Sequence, residues 1–166
     1  MKVVVTSRLW FEDMVRFPIY ETDMVISISS PNFSIPRLHD PKMFGVPRLN
    51  LHFQDVTRVI ESAGRIFEPM SEAQAKQIVD FAEEYHPWCR RLVVHCDAGA
   101  SRSPGVAIGL ARFFPFSDEN TLRDLFPRFN VTVASLIWAE CRARGLVELT
   151  QQTNGGAQDR QRRIEK

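Results

Sequence analysis

Short apolar runs of strand length alternate along the chain with longer segments of helical period. Residues 2–6 (KVVVT) are β-branched and predict a strand; residues 24–28 (MVISI) predict a second, closed by Ser29, Ser30 and Pro31. Leu49, Leu51 and Phe53 alternate with polar neighbours and predict a third, half-buried strand. Residues 92–95 predict a fourth, short and buried. Helical signals fall between and after these runs. Residues 7–16 predict a short helix. Ser71 and Gln74 fit a capping box, and Ala75, Ile78, Val79 and Ala82 follow at helical spacing, so a helix starts there and stops before Pro87. Residues 103–114 carry no charge before Arg112, which predicts a helix enclosed on most sides and ended by Pro115. Residues 120–126 predict another short helix. Asn130 is placed to cap a last one running to about Arg144, before Gly145. Four prolines and Gly45 make residues 31–47 a loop, and residues 55–70 read as irregular.

Strands alternating with helices predict an α/β fold, a mostly parallel central sheet flanked by helices. Ligands in such sheets bind beyond the carboxyl ends of the strands. That rule puts the loop after His95 and the loop after Phe53 on one rim. At 166 residues the chain is long enough for one domain, expected over residues 1–149. Residues 150–166 are polar and predict a mobile tail.

Apolar content of 44% and charge of 25% are ordinary for a soluble protein. The net charge of +1 argues against stable nucleic-acid binding, which needs a basic excess. Arginine supplies 17 of the 21 basic residues, a bias toward the side chain that binds oxyanions with two donors. No apolar run is long enough to cross a bilayer, and residues 1–6 are too short for the core of a signal peptide. Cys89, Cys96 and Cys141 are odd in number and lack zinc spacing, which predicts free thiols in a reducing cytoplasm.

The segment LVVHCDAGASRSPG, residues 92–105, concentrates the chemistry. It joins a buried strand to a helix N-terminus, where unpaired N–H groups and the dipole attract anions. Asp97, Ala98, Gly99, Ala100 and Ser101 are mostly small, so successive N–H groups can converge on an oxyanion as a nest. Pro104 suits a first helical turn. Cys96 at the base of that nest is a nucleophile candidate, because the dipole and Arg102 both favour an anionic sulfur. Arg102 can hold two oxygens of a tetrahedral oxyanion.

His95, Cys96, five residues, then Arg102 and Ser103 resemble the signature of the cysteine-based protein tyrosine phosphatase superfamily, in its compact dual-specificity-like branch. A cysteine and arginine at this spacing arise by chance about 0.3 times in such a chain; the added His, Gly and Ser lower that to on the order of 10⁻⁴. The likeness is strong over residues 92–111 and weaker over about residues 2–145. It implies a metal-independent phosphatase with no cofactor, acting on phosphotyrosine and also on phosphoserine or phosphothreonine. Cys96 would form a phosphocysteine, while Arg102 and the N–H groups of residues 97–102 hold the phosphate. Ser103 would assist the departing sulfur, and His95 would orient the loop. A general acid is also needed, and Asp55 matches its place in relatives; Asp40, Asp80 and Asp118 are weaker candidates. Asp97 departs from the neutral or basic residue expected there. It either adds negative charge at the pocket floor, disfavouring phosphoinositides, or turns outward to a surface arginine. Core packing is expected of Trp10, Phe11, Phe33 and Phe53, with lining of a substrate pocket as the alternative, and of Cys141. The partners implied are phosphorylated proteins or small phosphoesters. Rival readings are a phosphatase of RNA 5′-phosphates or inositol phosphates, rhodanese-like sulfur or arsenate chemistry, and a phosphopeptide-binding pseudophosphatase.

Overall fold

A computed structural model describes residues 2–13, 18–35 and 45–149. The proposed tail and Asp40 lie outside them. Four strands form a parallel sheet in the order β1-β6-β2-β3: β1 is Lys2–Ser7, β2 Asp23–Ser29, β3 Arg48–His52 and β6 Arg91–Cys96. The predicted strands are all present, each within two residues of its expected bounds. Side chains alternate across the sheet. In β2 and β6, Met24, Ile26, Ile28, Leu92, Val94 and Cys96 join the larger core, whereas Val25 and Val93 join a smaller cluster with Phe11, Ile19 and Val46.

Five helices complete the fold among the described residues: α1 Arg8–Glu12, α2 Glu72–Tyr85, α3 Arg102–Ala111, α4 Glu119–Leu125 and α5 Val131–Ala143. The Ser71 capping box forms as its spacing predicts, and Asn130 caps α5 through a bond from Val133 N. Helix α3 is buried along its whole length, packed on β6 and α5. It ends at Ala111, earlier than Pro115 suggests, and Phe113, Phe114 and Phe116 turn back into the core. The first helix is likewise shorter than expected, ending at Glu12 with Asp13 as its C-cap.

One segment departs from expectation. Residues 55–70 are not wholly irregular: β4 (Ile60–Ser62) pairs antiparallel with β5 (Arg65–Phe67) in a small exposed hairpin. Its turn holds Ala63 and Gly64, both at positive φ. No helix among the described residues is long and apolar enough to cross a membrane.

Candidate active site

All four sheet strands deliver residues to one rim at their carboxyl ends. Cys96 ends β6 and is 1% exposed. Its Sγ accepts hydrogen bonds from the Gly99 N–H and from the Ser103 hydroxyl, each at 3.2 Å. The chain then bends through Asp97 to Ser101 and enters α3 at Arg102. Gly99 has φ of +74°, and a Cβ there would stand 2.6 Å from Ser7 N and 2.7 Å from the Thr6 carbonyl carbon. Only glycine therefore lets the loop lie against the end of β1. Arg8 N, in turn, donates to the Asp97 carbonyl at 3.4 Å. Among the described residues, no protein acceptor takes the backbone N–H groups of Ala98, Ala100, Ser101 or Arg102. Such donors at a helix start form an anion cradle.

Arg102 is 4% exposed and reaches back across the sheet end. Its Nη1 donates to the Phe53 carbonyl at 2.8 Å and to Ser30 Oγ at 3.3 Å. Its Nη2 donates to Asp97 Oδ2 at 2.6 Å. Its Nε is buried and has no partner. Asp97 does not turn outward to a surface arginine. It keeps its negative charge within the loop, beside the buried Arg102, and Ser30 donates to it from both its N–H (3.3 Å) and its hydroxyl (2.9 Å). Burial pushes the Asp97 carboxyl up. The Arg102 and Ser30 hydrogen bonds, with the Arg102 charge, outweigh burial and hold it below the ordinary carboxylate value.

Asp55 lies at the exposed edge of the same loop, where Oδ1 accepts from Ser101 Oγ at 2.7 Å and from Asn130 Nδ2 at 3.0 Å. The weaker carboxylate candidates have other duties. Asp80 pairs with Lys76 and Arg144, each at 2.7 Å, on the outer side of α2, and Asp118 caps α4 by accepting from Thr121 N at 2.7 Å.

His95 precedes the nucleophile candidate and therefore points to the opposite sheet face. Its ring stacks on Phe11 at 4.0 Å, and its Nε2 lies 2.8 Å from Ser27 Oγ. Ser27 Oγ also accepts from Arg48 Nε at 3.2 Å. Burial, helped by the Arg48 and Arg8 charges, lowers the imidazole pKa to about 3 against a weaker opposing pull from Asp97. His95 is therefore neutral, and it lies on the sheet face opposite Cys96.

The sequence alone does not single out Ser30 or Asn130 as site residues. The run of Ser29, Ser30 and Pro31 at a strand's carboxyl end is a usable signal for the first; the second reads in the sequence only as a helix cap. Of the expected core aromatics, Phe11 and Phe53 are buried, but Trp10 and Phe33 are 52% and 58% exposed. Trp10 sits on the helix that leaves β1, and Phe33 closes a turn onto the Ser30 carbonyl, so both belong to the site's end of the sheet.

No protein-family model and no curated protein matches the chain. Solved structures do match it. Tk-PTP in its active form is 17% identical, with a TM-score of 0.52, over 83% of this chain and 88% of that one. PTPMT1 in complex with PI(5)P is 21% identical, with a TM-score of 0.54, over 87% of this chain and 94% of its own. The Yvh1 phosphatase domain from Chaetomium thermophilum is 15% identical, with a TM-score of 0.51, over 81% and 87%. At these identities the likeness is one of fold. A parallel α/β sheet, with the Cys96 loop between its β6 strand and a buried helix, gives this chain the fold of the tyrosine and dual-specificity phosphatases.

Proposed function

We propose that the chain is a phosphatase that hydrolyses phosphotyrosine, and secondarily phosphoserine or phosphothreonine, through a phosphocysteine. The observation that carries this reading is the sulfur of Cys96, held by Gly99 and Ser103 at the foot of a loop whose next turn supplies Arg102. The sulfur attacks phosphorus as an anion, an S–P bond forms, and the ester P–O bond breaks. The Asp55 carboxyl gives its proton to the departing oxygen. Water then attacks phosphorus and loses its proton to the Asp55 carboxylate; the S–P bond breaks, and the Ser103 hydroxyl donates to the leaving sulfur. The loop N–H groups and the Arg102 guanidinium offset the charge on the equatorial oxygens, a task that elsewhere falls to a metal ion. The three free cysteines suit a reducing cytoplasm.

A second reading, hydrolysis of a non-protein phosphoester, is favoured by one observation: a structural neighbour of similar size was solved with PI(5)P. The Asp97 charge beside Arg102 weighs against it. A pseudophosphatase would be expected to lack the cysteine, the arginine or the acid, and this chain carries all three.

Purified protein assayed on phosphotyrosine and phosphoserine peptides, PI(5)P and two phenyl phosphates decides between these. The expected result is fastest turnover of the phosphotyrosine peptide. Asp55→Asn is expected to lower kcat on unsubstituted phenyl phosphate about 100-fold and on a dinitrophenyl phosphate less than about tenfold. An unchanged phenyl phosphate rate removes Asp55 from the acid role. Turnover of PI(5)P alone selects the second reading, and no turnover of any ester contradicts both.

A further inference from the structure

Asp97 is the one residue of the loop whose charge opposes anion binding, yet it is tied into the site more firmly than its neighbours. Its Oδ2 takes the Ser30 N–H at 3.3 Å, the Ser30 hydroxyl at 2.9 Å and Arg102 Nη2 at 2.6 Å. Ser30 Oγ also accepts from Arg102 Nη1 at 3.3 Å, which closes a ring of Asp97, Ser30 and Arg102. A guanidinium has five N–H donors. Asp97, Ser30 and the Phe53 carbonyl together occupy the end carrying Nη1 and one hydrogen of Nη2. What remains is the edge formed by Nε and the second Nη2 hydrogen. Those two parallel donors match two oxygens of a tetrahedral oxyanion. The Nε on that edge is buried and unpartnered, a state that is costly unless a ligand accepts from it.

We propose that Asp97 and Ser30 form a latch that holds Arg102 by its far end and presents its Nε–Nη2 edge to the substrate. In this arrangement Asp97 restricts the site to esters bearing a single phosphate by cancelling much of the arginine's positive field. The proposal rests on the loop being a phosphatase site and adds a substrate restriction to that reading. Asp97 acts through Arg102 and is a positioning residue.

The latch has two opposed effects, and they separate it from a merely structural role. Removing the carboxylate charge loosens the arginine, so kcat falls. The same change makes the local field more positive, so highly charged anions bind more tightly. A loop that was only disordered by the substitution would lose affinity for every anion together.

The test uses the full chain and Asp97→Asn, which keeps an oxygen acceptor for Ser30 and Arg102, with Ser30→Ala as a second variant. Tungstate and inositol hexakisphosphate are titrated calorimetrically, and kcat and KM are measured on 4-nitrophenyl phosphate. For Asp97→Asn the expected result is a fall in kcat of about tenfold with KM changed less than about threefold, and a rise of about tenfold in affinity for the hexakisphosphate relative to tungstate. Ser30→Ala keeps the charge, so it should lower kcat without moving that ratio. An unchanged ratio or an unchanged kcat in Asp97→Asn overturns the proposal, as does a ratio shift of equal size in Ser30→Ala. If the wild-type chain binds tungstate but hydrolyses nothing, the phosphatase reading falls and the affinity ratio still judges the latch. If it does neither, both fall.

Discussion

His95 shows how a single buried residue beside Cys96 sets a condition on stability. Its ring is fully buried against Phe11 and bonded to Ser27, and its pKa falls to about 3 because burial and two nearby arginines oppose the charged form. In the unfolded chain the same imidazole takes a proton near pH 6.5. Below that point the unfolded state binds more protons than the folded state, so stability falls as pH falls, until the folded imidazole also titrates near 3. Between pH 7 and pH 5 this linkage removes about 2 kcal/mol. Thermal melting of the wild type is expected to show that loss, and His95→Gln to show a flatter profile over the same range. Equal slopes in the two proteins would mean that His95 is not the group responsible. At this scale the local part of the site was legible in the sequence. Cys96, Gly99, Arg102 and Ser103 lie close together in the chain, from the end of β6 to the start of α3, and their spacing carries the resemblance to the phosphatase signature. Ser30 was not identified, since it meets Asp97 and Arg102 only after the sheet has brought together residues 67 and 72 positions apart.

Elements are where the acid candidate is positioned. Asn130 accepts from Val133 N as the cap of α5, and with its other side-chain atom donates to Asp55 and to the Val56 carbonyl. Its backbone N donates to the Ser101 carbonyl at 3.0 Å. One cap thus ties α5 to the loop after Cys96 and to the loop after β3. Gly105 makes that approach feasible, because a Cβ on it would stand 2.7 Å from the Asn130 carbonyl oxygen and 3.0 Å from Val133 Cβ. Gly105→Ala is expected to cost about 1–3 kcal/mol by overpacking the α3–α5 contact. It should also displace Asn130 and lower turnover of phenyl phosphate more than that of a dinitrophenyl phosphate. Chemical denaturation and the two rates check this, and a variant with wild-type stability would show that the contact relaxes without strain. Most elements could be read from periodicity and caps, above all the Ser71 helix. The β4–β5 hairpin could not. Its strands are three residues each, and its turn is Ala63-Gly64 rather than a pair with an Asn or Asp signal. The aromatics show the limit of composition. Trp10 and Phe33 are exposed because each sits on a connection leaving a strand's carboxyl end, a placement that depends on strand order.

On the scale of the whole molecule, that order explains why the site exists. With β6 between β1 and β2, the carboxyl ends of four parallel strands meet: Ser7 under Gly99, Cys96 at the centre, Ser30 beside Asp97, and Phe53 against Arg102. The α/β class and the shared rim followed from alternation of strands and helices, but nothing local to a strand records which neighbour it pairs with. On the proposed reading, this convergence makes Cys96 a nucleophile toward phosphorus. Rapid acid quench of the protein during turnover of 4-nitrophenyl phosphate, followed by mass spectrometry of the peptide containing Cys96, tests it most directly. One added phosphoryl group on Cys96 is expected, absent from Cys96→Ser. Steady turnover with that peptide unmodified, or turnover that persists in Cys96→Ser, would contradict it.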